Sequence, residues 1–169
     1  MRILVTGGVR SGKSTHAERL FDGVETVRYV APGPSYDDAD WQARIAAHRA
    51  RRPAGWETVE THDLATALDT DRPMLVDCLG TWLTAVVDEA GAWEAPSDDV
   101  LALVTARTDA AIAALGAEVV LVTNEVGLGV VPEHRSGRLF RDLLGTVNQR
   151  VAAACDEVHL VVAGRVLKL

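Results

Sequence analysis

Residue types and spacing typical of a phosphate-binding loop occur near the N-terminus, in Gly7-Gly8-Val9-Arg10-Ser11-Gly12-Lys13-Ser14. Glycines let such a backbone curl until several N–H groups point at one anion, and the helix that follows adds its positive end. Lys13 would then reach the β- and γ-phosphates of a bound triphosphate, while the Ser14 hydroxyl would be a ligand of Mg²⁺. We therefore predict that this phosphate loop binds a nucleoside triphosphate; the alternative is a glycine turn that only packs a helix on a strand.

A second magnesium ligand is predicted at Asp77, which lies near the end of the apolar segment 74–79. An acid at the end of a buried strand can hold Mg²⁺ through a water molecule. Such an aspartate can equally cap the helix that follows the strand. Both interpretations of Asp77 remain open from the sequence.

Positive charge is concentrated in residues 44–53, Arg44-Ile45-Ala46-Ala47-His48-Arg49-Ala50-Arg51-Arg52-Pro53, although the chain has a net charge of −7. This basic segment could simply be a solvated helix face. Alternatively, its arginines hold a second anionic group, and His48 attacks phosphorus or carries a proton. Histidine suits either role because its neutral form is populated at physiological pH.

Strands and helices that alternate along the chain are predicted to position these residues. Apolar runs predict strands at 2–6, 24–31, 56–60, 74–79, 119–123, 158–162 and 165–169. Helical spacing predicts helices at 14–21, 39–51, 64–68, 81–89, 97–115 and 137–154, the fifth of them capped by Ser97. Strands that are apolar throughout indicate a mostly parallel sheet with helices on both faces, closed by an antiparallel edge hairpin around Gly164. We expect one α/β domain over residues 1–169, of the RecA-like P-loop NTPase class.

Composition restricts the possible partners and location. The acidic balance argues against binding a nucleic acid over a broad surface. No apolar stretch approaches the roughly 20 residues needed to span a membrane, and the N-terminus lacks the features of a signal peptide. We therefore expect a cytoplasmic protein. Cys78 and Cys155 lie in apolar surroundings and are expected to be inert thiols rather than a disulfide or metal site.

Several longer motifs resemble those of one enzyme family along almost the whole chain. They are the phosphate loop with Ala17-Glu18, the basic segment followed by Trp56, Thr58 and Glu60, Val122-Thr123-Asn124-Glu125-Val126-Gly127, Phe140-Arg141-Asp142, Asn148-Gln149-Arg150, and Asp156-Glu157-Val158 with Ala163-Gly164. Together they resemble the bifunctional adenosylcobinamide kinase / adenosylcobinamide-phosphate guanylyltransferase family of cobalamin biosynthesis. The chain departs from residues common in that family at Pro32-Gly33-Pro34, Asp77 and Ala85.

The resemblance implies two reactions. A hydroxyl of adenosylcobinamide takes the γ-phosphate of ATP or GTP, and the resulting phosphate then takes GMP from GTP by way of a guanylylated histidine, here His48. Besides the phosphate loop, the resemblance implies nucleotide contacts at Ala31, Pro32, Gly33, Arg49, Ala50, Arg51, Arg52, Glu60 and Asp77. It also implies Mg²⁺ as cofactor and a homotrimer.

Two other functions fit parts of the sequence. One is a kinase alone, in which His48 binds phosphate but never attacks it. The other is a nucleotide-gated binding module without catalysis. Glu125 could act as a base in the kinase step or cap the loop that follows it. Packing roles are predicted for Trp41, Trp56 and the remaining histidines, which are His16, His62, His134 and His159.

Overall fold

The protein is described by a computed structural model that covers residues 1–34, 38, 43, 46 and 52–169. The elements in chain order are β1 (Arg2–Thr6), α1 (Lys13–Arg19), β2 (Arg28–Ala31), β3 (Glu57–Glu60), α2 (Leu64–Leu68), β4 (Met74–Asp77), α3 (Leu79–Glu89), α4 (Ser97–Ala113), β5 (Val119–Val122), α5 (Arg135–Ala153), β6 (Glu157–Val162) and β7 (Arg165–Lys168). Among these described helices there is no span long and apolar enough to cross a membrane.

The strands form one sheet in the order β3-β2-β4-β5-β1-β6-β7. Neighbouring strands are parallel except for β6 and β7, which form an antiparallel hairpin at the edge. The central strands are buried on both faces, and every residue of β5 is buried. The predicted α/β class, the parallel sheet and the closing hairpin are therefore confirmed.

Two apolar clusters lie on opposite faces of the sheet, because successive residues of a strand point to opposite sides. Leu4 of β1 belongs to the larger cluster, together with buried residues of α2 to α5. Its neighbours Ile3 and Val5 belong to the other cluster, which contains Ala17 of α1 and Phe21. Burial on both faces fixes the strands and hence the positions of the loops at their ends.

Several predicted boundaries were wrong by a few residues. Strand β2 begins at Arg28 and not at Val24, because a turn with Gly23 at φ 85° separates it from α1. Helix α3 begins at Leu79, two residues before the prediction. The predicted cap Ser97 is instead the first residue of α4, and the N-cap position belongs to Pro96.

Most of the predicted helix 39–51 lies outside the described residues, and of it only Ala43 and Ala46 are described, both helical. The two cysteines are free and half-buried. Burial raises the pKa of Cys78 and raises that of Cys155 to about 11, so both thiols are neutral at physiological pH. The expectation of inert thiols agrees with these environments.

Candidate functional site

The carboxyl edge of the parallel sheet brings the sequence-predicted residues together. The phosphate loop follows β1, and Asp77 ends β4. Ala31 ends β2, and its register partner on the neighbouring strand is Glu60, the last residue of β3. Ligands of open α/β sheets bind at this edge, where the strand ends and the following loops meet. The topology therefore gathers these positions from four separate strands.

Glycine is needed at both ends of the phosphate loop. A Cβ added to Gly7 would overlap the carbonyl oxygen of Val161 and come within 2.7 Å of Ser11 Oγ. Gly12 has φ 94°, in the left-handed region that side chains disfavour, and occupies the N-cap position of α1. The two glycines thus let the loop pack against β6 and turn directly into α1.

Backbone hydrogen bonds from two other elements brace this loop. The N–H of Glu125, just after β5, donates to the Gly7 carbonyl at 3.1 Å. The N–H of Gly164, in the hairpin turn, donates to the Ser11 carbonyl at 2.8 Å. Sequence reasoning missed both braces, although the Thr-Asn-Glu and Ala-Gly motifs that supply them were among those carrying the family resemblance.

Polar groups inside the loop are suited to an anion. Lys13 is only 7% exposed, and its ammonium donates to the Gly8 carbonyl at 3.1 Å. The buried hydroxyl of Ser11 has no hydrogen-bond partner among the described residues. Ser14 is half-buried in the first turn of α1. A cation and hydroxyl groups are therefore held where the motif requires them for a triphosphate.

Asp77 is not the N-cap residue of the helix that follows it. That position in α3 belongs to Cys78. Instead, Asp77 Oδ2 accepts a hydrogen bond from the hydroxyl of Tyr29 at 3.1 Å. Burial, and next the charge of Asp77, raises the pKa of Tyr29 well above its usual value, so the phenol keeps its proton and remains a donor. Sequence reasoning did not identify this partner 48 residues away.

Arg52, the penultimate residue of the basic segment, packs on the same tyrosine. Its guanidinium carbon lies 3.3 Å from the centre of the Tyr29 ring, and one guanidinium nitrogen donates to Thr58 Oγ1 at 2.8 Å. The cation over the ring face and the hydrogen bond together fix this side chain. Tyr29 therefore lies between the end of the basic segment and Asp77.

These contacts do not involve the other residues of the basic segment for which roles were predicted. His48, Arg49, Ala50 and Arg51 lie outside the described residues, so their roles stay predictions. Before the basic segment, the chain is described continuously as far as Pro34, and Ala31 to Pro34 are the last residues of that part. Pro32 is buried, and a Cβ on Gly33 would lie 2.9 Å from the Cβ of Thr81, so this departure from the family pattern packs closely on α3.

A polar network orders the chain after β5. The Thr123 hydroxyl donates to Asn148 Oδ1 at 2.6 Å, and Asn148 Nδ2 donates to the Asn124 carbonyl at 3.1 Å. The carboxylate of Glu125 accepts from the Gly127 N–H at 2.8 Å. Glu125 thus caps the loop that follows it, which was one of its two predicted roles.

Aromatic packing occurs beside the site. The ring of Trp56 meets Phe21 edge-on at 6.0 Å, which confirms its predicted packing role. His16 Nε2 and His159 Nδ1 lie 2.9 Å apart, and His159 Nε2 lies 2.7 Å from the carboxylate of Glu157. Burial, and next the charge of His159, lowers the pKa of His16. Trp41 lies outside the described residues.

Residues 3–169 match the model of one protein family, described as cobinamide kinase / cobinamide phosphate guanyltransferase. The chain belongs to this family. The family resemblance drawn from the sequence motifs is thereby confirmed, and with it the class of enzyme.

Individual members of the family match along their whole length. The bifunctional adenosylcobalamin biosynthesis protein CobU of Salmonella typhimurium is 46% identical over an alignment 181 positions long, which covers all of this chain and 99% of that one. The CobU protein of Escherichia coli is 42% identical with the same coverage. The corresponding CobP protein of Pseudomonas aeruginosa is 39% identical and covers 97% of this chain and 94% of its own.

Proposed function

We propose that this protein phosphorylates adenosylcobinamide with ATP or GTP and then transfers GMP from GTP to the adenosylcobinamide phosphate, giving adenosylcobinamide-GDP and pyrophosphate. The observation that carries the proposal is the complete, braced phosphate loop in a chain that the cobinamide kinase / guanyltransferase family matches over residues 3–169. A phosphate loop alone is common to many unrelated proteins. We therefore infer the acceptor from the family and the triphosphate chemistry from the loop.

In the kinase reaction, a hydroxyl of adenosylcobinamide attacks the γ-phosphorus, and the bond to the β-phosphate oxygen breaks. The hydroxyl proton passes to solvent or to a base, and a nucleoside diphosphate leaves. Phosphoryl transfer depends on positioning and on compensation of spreading negative charge. Lys13 and the N–H groups of the phosphate loop supply both when the triphosphate lies in the loop.

In the guanylyl transfer, a ring nitrogen of neutral His48 attacks the α-phosphorus of GTP. A P–N bond forms, the bond from the α-phosphorus to the pyrophosphate oxygen breaks, and pyrophosphate leaves. An oxygen of adenosylcobinamide phosphate then attacks the same phosphorus, and the P–N bond breaks to return the histidine. Arg49 and Arg51, one and three residues after His48 in the sequence, stabilise charge on the pyrophosphate.

Ser14 and Asp77 are proposed to hold Mg²⁺. A hydroxyl and a carboxylate are the hard oxygen donors that this ion prefers, and they fit an ion that takes its other ligands from water and phosphates. Among the described residues no group of three or more His, Cys, Asp or Glu side chains could hold a metal ion. When bound, Mg²⁺ would supply positive charge that compensates the negative charge of the phosphates.

Further nucleotide contacts are proposed at the sheet edge and in the basic segment. The first group is Ala31, Pro32, Gly33 and Glu60, and the second is Arg49, Ala50, Arg51 and Arg52. Arg52 already contacts Tyr29, so any contact with nucleotide would come from the remaining face of its guanidinium. We further propose a homotrimer, as the family resemblance implies, and a cytoplasmic location, as expected from the composition.

Labelled GTP tests the proposal directly. The protein is incubated with GTP labelled on the α-phosphate, and the denatured protein is examined for covalent label. A phosphoramidate is labile in acid and stable in alkali, so the expected label has both properties. Addition of adenosylcobinamide phosphate should discharge the label into adenosylcobinamide-GDP.

Each negative result has a defined meaning. Formation of adenosylcobinamide phosphate without any protein-bound label would reduce the protein to a kinase. Tight nucleotide binding with no transfer to adenosylcobinamide would indicate a nucleotide-gated binding module. Either result, obtained under conditions where nucleotide binding is saturated, contradicts the bifunctional proposal.

Replacement of Tyr29 by phenylalanine is expected to weaken Mg²⁺ binding. The variant keeps the ring under Arg52 and removes only the hydroxyl that donates to Asp77. Loss of one hydrogen bond to a carboxylate is worth about 1 kcal/mol, or roughly fivefold in affinity. The measurement is the Mg²⁺ dependence of nucleotide binding by calorimetry.

A matched control is Thr58→Val, which removes an acceptor of Arg52 and leaves the bond between Tyr29 and Asp77 intact. This control should keep the Mg²⁺ dependence of the wild type. Equal Mg²⁺ dependence in the Tyr29→Phe variant and the wild type would show that the tyrosine does not orient Asp77 for the ion.

A further inference from the structure

An exposed apolar loop, residues 126–131, follows β5 and is not used by the chemistry described above. Val126 is 37% exposed, Leu128 89%, Val130 94% and Val131 61%. No charged residue interrupts the segment. A contiguous group of apolar side chains exposed to solvent is typical of a binding surface.

Hydrogen bonds hold this apolar loop in its outward shape. Arg141 of α5 donates to the Gly127 carbonyl at 2.6 Å and to the Gly129 carbonyl at 2.9 Å. At the start of the loop, Glu125 accepts from the Gly127 N–H. The carbonyl groups of Gly127 and Gly129 thus have hydrogen-bond partners on α5, while Leu128 and Val130 are exposed to solvent. A loop fixed in this way displays its apolar side chains to a ligand at little cost in conformational entropy.

The apolar loop begins beside the phosphate loop. The N–H of Glu125 donates to the Gly7 carbonyl at 3.1 Å, and Val126 is the next residue. The start of the apolar loop is thereby tied to the start of the phosphate loop, the loop to which Lys13 belongs. The acceptor of the γ-phosphate must occupy a position near the phosphate loop, because its hydroxyl has to come within about 3 to 3.5 Å of the phosphorus.

We propose that residues 126–131 are the docking surface for the corrin macrocycle of adenosylcobinamide, an inference that rests on the proposed function. The macrocycle carries methyl groups and uncharged amides at its periphery, and it is far larger than the aminopropanol arm of adenosylcobinamide, which bears the reacting hydroxyl. Only the arm can enter the phosphate site, so the macrocycle needs an adjacent surface without charge. Leu128 and Val130 provide exposed apolar contact area three and five residues after Glu125, the residue that contacts the phosphate loop.

The double substitution Leu128→Ser, Val130→Ser tests this surface. Burial of one leucine or valine side chain is worth about tenfold in affinity, so the KM for adenosylcobinamide should rise about tenfold or more. The equilibrium affinity for GTP and the yield of guanylyl label should stay unchanged, because neither involves the corrin. Equilibrium binding of adenosylcobinamide, followed by calorimetry without nucleotide, should weaken by the same factor. Leu101→Ser, on an exposed position of α4, is the control and should leave corrinoid binding unchanged.

The outcomes separate this inference from the proposed function. Unchanged corrinoid KM and affinity in the double variant overturn the docking surface. Light scattering shows whether the double variant has changed its oligomeric state. If its molecular mass changes, and if corrinoid affinity returns when the variant reassembles at high concentration, the loop contacts a second copy of the chain. That result also overturns the docking surface. If the double variant does not fold by circular dichroism, Val130→Ala alone is measured and should still raise the KM several-fold. A wild type that forms guanylyl label but neither binds nor phosphorylates the corrinoid contradicts the proposed kinase reaction together with the docking surface. A wild type without label contradicts the proposed guanylyl transfer, whereas a wild type with both activities and unchanged corrinoid binding in the double variant overturns the docking surface alone.

Discussion

Replacement of Lys13 by alanine is expected to abolish most of both transfer activities. The ammonium is held inside the phosphate loop, 3.1 Å from the Gly8 carbonyl, and no other lysine is near it in the sequence. Both proposed reactions place negative charge on phosphates that this cation compensates. Loss of one preorganised electrostatic contact typically lowers kcat by about 10²- to 10³-fold, or ~3 to 4 kcal/mol of barrier. The kinase rate and the rate of guanylyl labelling should both fall by this amount.

Controls separate chemistry from folding in this experiment. Lys13 is buried, so Lys13→Met is measured beside the alanine variant because it preserves the apolar stem and removes only the charge. Lys168→Ala removes the chain's other lysine, which is exposed and pairs with Glu157. That variant should keep both activities. Wild-type rates in Lys13→Met, with nucleotide affinity unchanged, would contradict the assignment of the cation to the triphosphate.

The sequence predicted the local parts of the site well because each depends on neighbouring residues. A buried strand, a glycine-rich turn and a helix occupy consecutive positions from Arg2 to Arg19, so the motif and its context could be read together. The parallel class of the sheet followed from strands that are apolar on both faces. The position of Asp77 at the carboxyl edge followed in turn from that class.

Contacts between distant segments could not be predicted in the same way. Tyr29 is an ordinary buried aromatic in the sequence, and only the pairing of β2 with β4 brings its hydroxyl to Asp77. The close approach of Gly7 to Val161 likewise depends on β1 and β6 being neighbours. A periodic pattern shows which face of a strand is buried but not which strand lies beside it. The braces and positioning contacts of the site are therefore properties of the topology.

The same reasoning applies to the ends of elements. The predicted strand 24–31 began too early because Val24 and Val27 are apolar, although a left-handed glycine at position 23 forces a turn before pairing can begin. Pairing starts at Arg28, whose N–H donates to the Pro73 carbonyl. Apolar character predicted burial correctly there, since Val27 is in the core, but burial does not require a strand.

Replacement of His48 by alanine is expected to separate the two reactions. No phosphoramidate can form without a ring nitrogen, so acid-labile label from α-labelled GTP should disappear. Removal of a covalent nucleophile costs on the order of 10⁶-fold in a well-studied hydrolase, which places residual GMP transfer below detection. The kinase reaction breaks a different bond of the triphosphate and uses Lys13, so it should retain most of its rate. Product analysis should then show adenosylcobinamide phosphate accumulating without adenosylcobinamide-GDP.

The matched control for this variant is His62→Ala, which removes an exposed histidine whose one described ion pair is with Glu89 at 3.5 Å. It should label as the wild type does.

Imidazole added to the His48→Ala protein tests the role of His48 further, because a free imidazole ring in place of the missing side chain can restore GMP transfer without restoring protein-bound label. Normal labelling of His48→Ala would move the nucleophile to another residue and leave the basic segment only its electrostatic role. Equal loss of kinase and guanylyl transfer would instead show that His48 binds the triphosphate in both reactions. Selective loss of the label alone identifies the histidine as the group that attacks the α-phosphorus.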